Sequence, residues 1–545
     1  MANSSLHETS KCFGLVLLSF LVLPVSTIVA LVSIFFSTQP RRTRPSPPPN
    51  PSPLPERKST DPNCPRRPPP QRTILVTGVG MAKGLSLARA FHLSGHRVVG
   101  ADTTPHPLIP CPGRFSRALS AFYRLPTTDA YARRLVAIVE AERVDLWVSC
   151  SGVAGAAQDA RAKEAVEAAG CRCRCVQFGA RDTAALHEKD AFVREAAARG
   201  LPVPETHVVR SREDILRILF SSSAAAGSEE KKKKLEEDGG GKNKKRFILK
   251  PVGVDDANRG DMTLLPLATE GATRRHLARL PVSAERPWIL QRFVPGGQEY
   301  CTHALVVRGE VRCFAACASA ELLMHYEALP RDSPLLLDML DFTARFVARS
   351  PSPETMTGHL SFDFMVNNGE SSGGDGNDDK TPGRGKNIYA IECNPRAHTA
   401  VVLFAQQGAE MEAMVQAYLS VIDGAQDGDV NGGLSKTKNV GGRNVVMPPP
   451  DARARYWIGH DLVSFLILPV ARFATGRLKP KQLSATFVEF LTHIWSWKEG
   501  TFEAWDPLPA LILYHLYWPS VFVLTWWQGR RWSRVNVSTT KMFLC

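Results

Sequence analysis

The sequence predicts an α/β protein with an apolar N-terminal helix and an apolar C-terminal segment. Three observations support this fold class. Apolar strands alternate with helical segments after residue 73, a second group of strands in the middle of the chain ends in charged side chains, and residues 13–36 carry no charge. The chain has 545 residues, enough for several domains, and its 44% hydrophobic and 22% charged residues are typical of a globular protein.

The N-terminal apolar run predicts a membrane anchor over residues 1–36. Residues 13–36 would form a helix of about 36 Å, which is long enough to span a bilayer. A signal peptide has a shorter apolar region and a small-residue cleavage site, so we expect an uncleaved single-pass anchor. Arg41, Arg42 and Arg44 follow the run and only Lys11 precedes it. This bias predicts that the body of the protein lies in the cytosol.

The net charge of +14 lies mostly at the two ends of the chain. Residues 41–72 carry eight basic and two acidic residues, and residues 521–545 carry four basic residues and no acids. Basic residues beside apolar segments suit an anionic membrane surface. The middle of the chain has no basic stripe interleaved with aromatics, so we expect a membrane partner and no nucleic acid. Residues 37–72 are also rich in proline and predict an extended linker.

Residues 73–180 predict a Rossmann-like domain. An apolar strand at 73–77 is followed by a glycine loop, a helix and a second strand that ends at Asp102, which is the pattern of a βαβ unit. Three interpretations of the glycine loop remain open. Asp102 could contact the ribose of a nicotinamide nucleotide, Gly78 and Gly80 could contact a substrate, or the glycines could serve only a tight turn.

A group of oxygen-bearing side chains in the middle of the chain predicts a magnesium site. The motif Glu392-x-Asn394-x-Arg396 ends an apolar strand, so its three side chains share one face. Asp363 lies in a second apolar strand upstream. Carboxylate and amide oxygens suit Mg²⁺ held against phosphates, and arginine recognises phosphate with two parallel hydrogen bonds. The alternative is a pair of acids on edge strands that face water.

Other motifs around this site resemble those of the ATP-grasp ligases. Lys189 opens a helix, Lys250 ends the strand at 247–251, and residues 287–296 resemble a strand and hinge with Glu299 just beyond them. The motifs follow one another in the order found in that superfamily. Two departures concern Arg292, where the hinge usually has an acid, and Arg259, which lies in a loop without the usual glycine and serine.

The resemblance implies an ATP-grasp fold over residues 181–422, interrupted by low-complexity insertions at 221–245 and 369–386 and followed by a polar linker at 423–450. It implies ATP with one or two Mg²⁺ ions, for which Mn²⁺ can substitute. The roles that it implies are catalysis by Arg396 and Lys250; ATP binding by Lys189, Lys250, Gln291, Phe293 and Glu299; and metal binding by Asp363, Glu392 and Asn394.

A closer resemblance is to the mycosporine-glycine synthase family. Residues 287–291, 298–303 and 389–398 carry it, and it extends to 456–460 and 506–511. It implies that ATP phosphorylates a ring oxygen of the cyclohexenone 4-deoxygadusol and that the amine of glycine then displaces the phosphate. Two alternatives remain: a carboxylate–amine ligase that works through an acyl phosphate, and a membrane-tethered ATP-binding protein without catalysis. The motifs do not predict an oligomeric state.

Two histidines and the C-terminal segment complete the predictions. His303 and His398 lie beside the motifs, where either could orient a substrate or act as a base, or serve the structure alone. Residues 451–545 predict a helical segment. Its apolar stretch at 508–527 is interrupted by His515 and Pro519, so it could span a membrane, dock at the interface or pack on the body.

Overall fold

The computed structural model describes residues 2–37, 70–224, 245–252, 261–319, 324–367, 387–423 and 445–544. Most of the predicted linker at 37–72, of the insertions at 221–245 and 369–386, and of the polar stretch at 423–450 lies outside these residues. Arg259 also lies outside them.

A parallel sheet of five strands follows the N-terminal helix α1 (Ala2–Phe36). Its elements are β1 (Thr73–Thr77), α2 (Ala82–Leu93), β2 (Arg97–Asp102), β3 (Ala121–Arg124), α3 (Ala130–Ala141), β4 (Leu146–Val148), α4 (Ala156–Ala168) and β5 (Arg174–Val176). The strand order is β3-β2-β1-β4-β5, which is a doubly wound order and includes the βαβ unit that the sequence predicted. The central strands are apolar and buried because helices cover both faces of the sheet.

The glycine loop after β1 is held by the chain itself. Gly78 has a φ of +74°, and a Cβ atom there would lie 2.6 Å from the carbonyl oxygen of Cys150. The carboxylate of Asp102 accepts hydrogen bonds from the Gly80 N–H at 2.6 Å and the Thr103 N–H at 2.8 Å. At the start of α2, the Ala82 N–H donates to the carbonyl of Ser538 at 3.0 Å.

These contacts weigh against the nicotinamide interpretation of the loop. A dinucleotide would need the Asp102 carboxylate for its ribose and the start of α2 for its pyrophosphate. Both positions hold groups of this chain instead. The geometry favours the tight-turn interpretation of Gly78 and Gly80.

Two antiparallel sheets form the middle of the protein. The first has the order β6-β8-β7 and the second the order β10-β9-β11-β12. Their elements and flanking helices are α5 (Ala180–His187), α6 (Lys189–Ala198), β6 (Thr206–Val209), α7 (Arg212–Ala224), β7 (Phe247–Pro251), α8 (Glu270–Leu277), β8 (Trp288–Arg292), β9 (Gln298–Val307), β10 (Glu310–Ala318), α9 (Pro334–Ala348), β11 (Gly358–Asn367), β12 (Asn387–Asn394) and α10 (Ala409–Asp423). Helix α9 covers the larger sheet with Phe342 and Phe346, whose rings contact Phe362 on β11.

The C-terminal segment packs back on these sheets. It contains β13 (Arg455–Tyr456), α11 (Ile458–Asp461), a π-helical turn (Leu462–Ile467), α12 (Leu468–Ala474), α13 (Pro480–Ser496), β14 (Lys498–Glu499), α14 (Leu508–Ile512), a second π-helical turn (Leu513–Tyr517), α15 (Trp518–Trp527), β15 (Trp532–Asn536) and β16 (Lys541–Leu544). Asp506, which is fully buried, forms an ion pair of 2.9 Å with Arg89 on α2. This pair attaches the segment to the first sheet.

In the part of the chain that the structure describes, two helical stretches are long and apolar enough to cross a membrane, Thr9–Phe36 and Leu508–Trp527. Only 6% of the most apolar part of the first is buried, against 44% for the second. They contact each other: the Ser19 hydroxyl donates to the Tyr514 carbonyl at 3.0 Å, and the Trp526 indole donates to Thr9 at 3.2 Å. Residues 508–527 therefore pack on both α1 and the body of the protein.

Candidate active site

The predicted metal ligands meet on neighbouring strands of the four-stranded sheet. Asp363 on β11 lies directly opposite Glu392 on β12, and a bulge follows Asp363. Residues opposite each other in an antiparallel pair project to the same face, and Asn394 joins that face two residues beyond Glu392. The Asn394 amide donates to the Asp363 carboxylate at 3.1 Å. The sequence prediction that these three side chains lie together agrees with this geometry.

The charges around Asp363 favour a cation. Burial raises the pKa of the Asp363 carboxyl, and the carboxylates of Glu392 and Glu299 raise it further. Two carboxylates and one amide within reach of each other are hard oxygen donors of the kind that Mg²⁺ prefers. The amide oxygen of Asn394 accepts from Arg396 in this structure, so Asn394 would have to turn its oxygen towards the carboxylates to act as a ligand.

Two lysines face this carboxylate group from other elements. Lys250 lies on β7, and Lys189 is the first residue of α6. Burial lowers the pKa of Lys250, the nearby carboxylate of Glu392 opposes that shift, and the ammonium group of Lys189 adds to it. The charges of Lys189 and Glu392 therefore both act on the Lys250 amine, although the three residues come from separate parts of the sequence.

Two of the predicted ATP-binding residues differ in exposure: Glu299 is exposed and Gln291 is buried. The Glu299 side chain is exposed near Asp363, where it also accepts from the Ser319 hydroxyl at 3.2 Å. Gln291 is buried; its oxygen accepts from the Lys250 amine at 3.0 Å, and its nitrogen donates to Thr206 at 3.2 Å. We therefore assign Gln291 to positioning Lys250 rather than to contacting adenine.

The hinge that follows β8 is partly engaged with its neighbours. The Arg292 N–H donates to the Glu205 carbonyl at 2.8 Å, and the Phe293 N–H donates to the Arg246 carbonyl at 2.7 Å. These N–H groups bond the hinge to the residues that precede β6 and β7 on either side of β8, and so are not directed at a ligand. The Arg292 side chain is exposed.

Arg396 connects the carboxylates to a second group of polar side chains. A tight turn brings its N–H to the Asn394 carbonyl at 2.8 Å. The next residue, Ala397, accepts from the Lys83 amine through its carbonyl at 2.8 Å, and Ser151 does the same at 2.9 Å. Burial lowers the pKa of Lys83 to about 7, and the Arg396 guanidinium contributes to that shift. Lys83 thus links the glycine loop to the candidate site.

His303 and His398 lie behind the site in buried, structural contacts. The His398 N–H donates to Nδ1 of His303 at 3.3 Å, and Nδ1 of His398 accepts from the Ala400 N–H at 3.2 Å. Burial lowers the pKa of both imidazoles, that of His398 to about 3, so both are neutral near pH 7. Nε2 of His303 is buried without a partner in the part of the chain that the structure describes. Nε2 is therefore the atom through which His303 could bind a substrate.

Sequence reasoning missed two residues of this region. Lys83 lies in the first turn of α2, directly after the glycine loop, and a lysine at that position was the signal that the sequence offered. His187 precedes Lys189, and burial and Arg396 lower its pKa while Glu392 opposes the shift. Its buried Nδ1 has no hydrogen-bond partner among the described residues. A neutral imidazole beside Arg396 and Glu392 can accept a proton, which makes His187 a candidate base.

Comparisons with known proteins find a distant structural likeness. No family model matches the chain, and no curated protein matches it. Among solved structures, N5-carboxyaminoimidazole synthetase from Staphylococcus aureus complexed with ADP has 13% identity and a TM-score of 0.42, over 64% of this chain and 77% of the other. L-amino acid ligase from Bacillus licheniformis has 12% identity and a TM-score of 0.41, over 66% and 76%.

A third structure is the biotin carboxylase domain of the Hydrogenobacter thermophilus 2-oxoglutarate carboxylase in complex with MgADP. It has 12% identity and a TM-score of 0.41, over 65% of this chain and 70% of the other. All three TM-scores lie below 0.5, so the functional assignment rests on the residues of this chain.

Proposed function

We propose that this chain is an ATP- and Mg²⁺-dependent ATP-grasp ligase that forms a C–N bond. The observation that carries the proposal is the convergence of Asp363 and Glu392 with two lysine amines and the Arg396 guanidinium. Carboxylates opposite cations in one site suit a metal-bound triphosphate better than they suit a water-facing strand edge. The ordered motifs that resemble ATP-grasp ligases support the same function.

Each side chain has a distinct role in this proposal. Asp363 and Glu392, with Asn394 after rotation of its amide, would hold Mg²⁺, which when bound neutralises the phosphates of ATP. Lys250, held by Gln291, and Lys189 bind phosphate oxygens. Because phosphoryl transfer depends mainly on positioning and charge, the cations of this site would account for most of the rate enhancement.

Activation of the substrate is the step that ATP supplies. A hydroxide-like leaving group does not depart at neutral pH, whereas a phosphate does. In this proposal Arg396 stabilises the transferred phosphoryl group, and His187, whose pKa burial and Arg396 lower, accepts the proton that the attacking amine loses. We propose 4-deoxygadusol and glycine as the substrate pair, because residues 287–291, 298–303 and 389–398 resemble the mycosporine-glycine synthase family.

The test combines turnover with product mass. The full chain in mild detergent is incubated with Mg²⁺-ATP, glycine and 4-deoxygadusol, and ADP release is followed together with the mass of the product. We expect ADP and a product heavier than the cyclohexenone by glycine minus water. ADP release only with other amines or acids would keep the ligase and exclude this substrate pair. ATP binding without turnover on a broad panel would favour a non-catalytic ATP-binding protein.

A carboxylate substitution tests the site itself. Glu392→Gln keeps the shape of the side chain and removes its charge, so turnover should fall by about 100-fold or more. Glu354→Gln is the matched control, because Glu354 is exposed and lies outside the site. The thermal unfolding of both variants should match that of the wild type. Full activity in Glu392→Gln would refute the metal site.

We also propose that α1 anchors the protein in a membrane, with the body in the cytosol. The most apolar 18-residue window of its stretch Thr9–Phe36 has a mean hydropathy of 2.7, and only 6% of that window is buried. Helices α12 and α13 expose further large apolar side chains, among them Phe473, Phe487 and Trp495, which suits contact with the same membrane. Resistance of the chain to alkaline carbonate extraction, and its loss on removal of residues 1–36, would support the anchor.

A further inference from the structure

A group of two histidines and an aspartate lies in the C-terminal segment, outside the candidate active site. Asp461 ends α11 and is fully buried. One of its carboxylate oxygens lies 2.8 Å from Nε2 of His325, which precedes Tyr326. The other oxygen lies 2.6 Å from Nδ1 of His493 in the last turn of α13. The three side chains come from three separate parts of the chain, and their ligand atoms all lie within 4.8 Å of one another.

Aromatic side chains enclose this group. The Trp497 ring lies 4.2 Å from the His493 ring and 5.5 Å from the His325 ring, and Phe465 packs against both imidazoles. Such walls exclude water and lower the local dielectric constant, so a buried carboxylate needs a positive partner. Either a protonated histidine or a bound cation supplies that charge.

We propose that His325, Asp461 and His493 bind one Zn²⁺ ion. Two imidazoles and one carboxylate are the ligand types of zinc sites, and imidazole nitrogens disfavour Mg²⁺ and Ca²⁺. Ligand atoms around tetrahedral zinc lie about 3.3 Å apart, because each bond is about 2.0 Å long. The observed separations of 2.6 and 2.8 Å, each to a different oxygen of Asp461, are shorter than this value by about 0.7 and 0.5 Å, so the imidazoles would move away from the carboxylate by that much to admit the ion. The fourth position remains for water or for His460, whose ring lies 5.7 Å from that of His325.

A metal here would connect the C-terminal helices to the sheet that bears the active site. Tyr326, next to His325, exchanges two backbone hydrogen bonds with Arg455, at 3.0 and 2.8 Å. The Tyr326 ring contacts the rings of His398 and Trp457 at 5.9 and 5.8 Å. Zinc would therefore fix the segment that supports His398. This inference does not depend on the proposed ligase activity.

The first experiment counts metal in the full chain. The protein in detergent is stripped with a chelator, incubated with excess Zn²⁺, freed of unbound metal and analysed by mass spectrometry for zinc per chain. We expect one tightly held zinc, retained in Glu392→Gln and lost in His325→Ala and in His493→Ala. His276→Ala is the matched control, because His276 pairs with Asp261 at 3.4 Å without a third ligand among the residues that the structure describes. This control should keep its zinc.

The second experiment needs no variant and so remains informative if a substitution prevents folding. X-ray absorption of the zinc-loaded wild-type chain should show only nitrogen and oxygen ligands near 2.0–2.1 Å, whereas binding to cysteine would give sulfur near 2.3 Å. At a free zinc concentration 100 times the dissociation constant, the unfolding equilibrium constant should fall about 100-fold. Sulfur ligands, no zinc in the wild type, or equal zinc in His325→Ala and the wild type would overturn the proposal in favour of a hydrogen-bond network.

Discussion

The buried ion pair between Arg89 and Asp506 offers the sharpest test of how the C-terminal segment is held. The Arg89 guanidinium donates to the Asp506 carboxylate at 2.9 Å, to the Thr501 carbonyl at 2.8 Å and to the Asp506 carbonyl at 2.9 Å. The carboxylate also accepts from the Ser116 hydroxyl and from the Arg117 N–H. Neither charged side chain has appreciable contact with solvent.

Arg89→Met should destabilise the docked segment strongly. The substitution leaves the Asp506 charge buried without a cation, and breaking a buried pair in this way costs about 3–5 kcal/mol. Asp506→Asn should cost a similar amount, because it leaves the arginine unpaired. In the double variant the asparagine can still bond Ser116 and the Arg117 N–H without a charge. The double variant should therefore be more stable than either single variant, with a coupling energy of at least about 2 kcal/mol.

Hydrogen exchange read by mass spectrometry measures this effect locally. Peptides that cover residues 499–512 should exchange at least about 100-fold faster in Arg89→Met, because each 1.4 kcal/mol of opening free energy is a factor of ten. Arg274→Met is the control: the Arg274–Glu270 pair is exposed, and such pairs contribute about 0.5 kcal/mol or less. Unchanged exchange in Arg89→Met, or a double variant less stable than both single variants, would refute the reasoning.

Two further predictions concern the glycine loop. Gly78→Ala should destabilise the protein by more than the 1–2 kcal/mol of a left-handed residue, because its Cβ would overlap the Cys150 carbonyl. Gly95 also has a positive φ but has open space around it, so Gly95→Ala should lose only the stability that a left-handed backbone costs. Equal losses of stability in the two variants, measured by thermal unfolding, would contradict the overlap with the Cys150 carbonyl. For Lys83, the folded pKa of about 7 lies below the unfolded 10.5. The unfolded chain binds more protons between these values, so stability should rise with pH by up to about 1.4 kcal/mol per unit. Lys83→Met should lose that rise between pH 7 and 9 in denaturant titrations, and an unchanged slope would exclude Lys83 as its source.

The parts of the fold that the sequence predicted are those that local patterns encode. The strand at 73–77, the turn at Gly78 and the strand that ends at Asp102 are marked by an apolar run and a glycine that needs a positive φ. The shared face of Glu392 and Asn394 follows from the two-residue period of a strand, and the structure keeps both near Asp363.

Contacts between distant parts of the chain were not accessible to such patterns. Lys83 meets the Ala397 carbonyl across 314 positions, and His325 meets Asp461 across 136. Gln291 is a second case in which the sequence did not indicate the partner that the side chain has in the structure. The resemblance implied that Gln291 binds ATP, but the pairing of β7 with β8 turns its side chain to the Lys250 amine. Register, rather than residue type, decides which of these partners a side chain meets.

The hydrogen bond between Ala82 and Ser538 has a consequence for how the chain is made. The first sheet leaves the ribosome early, but Ser538, whose carbonyl covers the start of α2, is synthesised 456 residues after Ala82. At about 5–20 residues per second this delay is roughly 20–90 seconds, during which the glycine loop stays uncovered. Helix α1 also stays without its contacts to residues 508–527 until those residues are synthesised. A nascent chain of this protein should therefore need a chaperone or the membrane to shield these surfaces until its last hundred residues emerge.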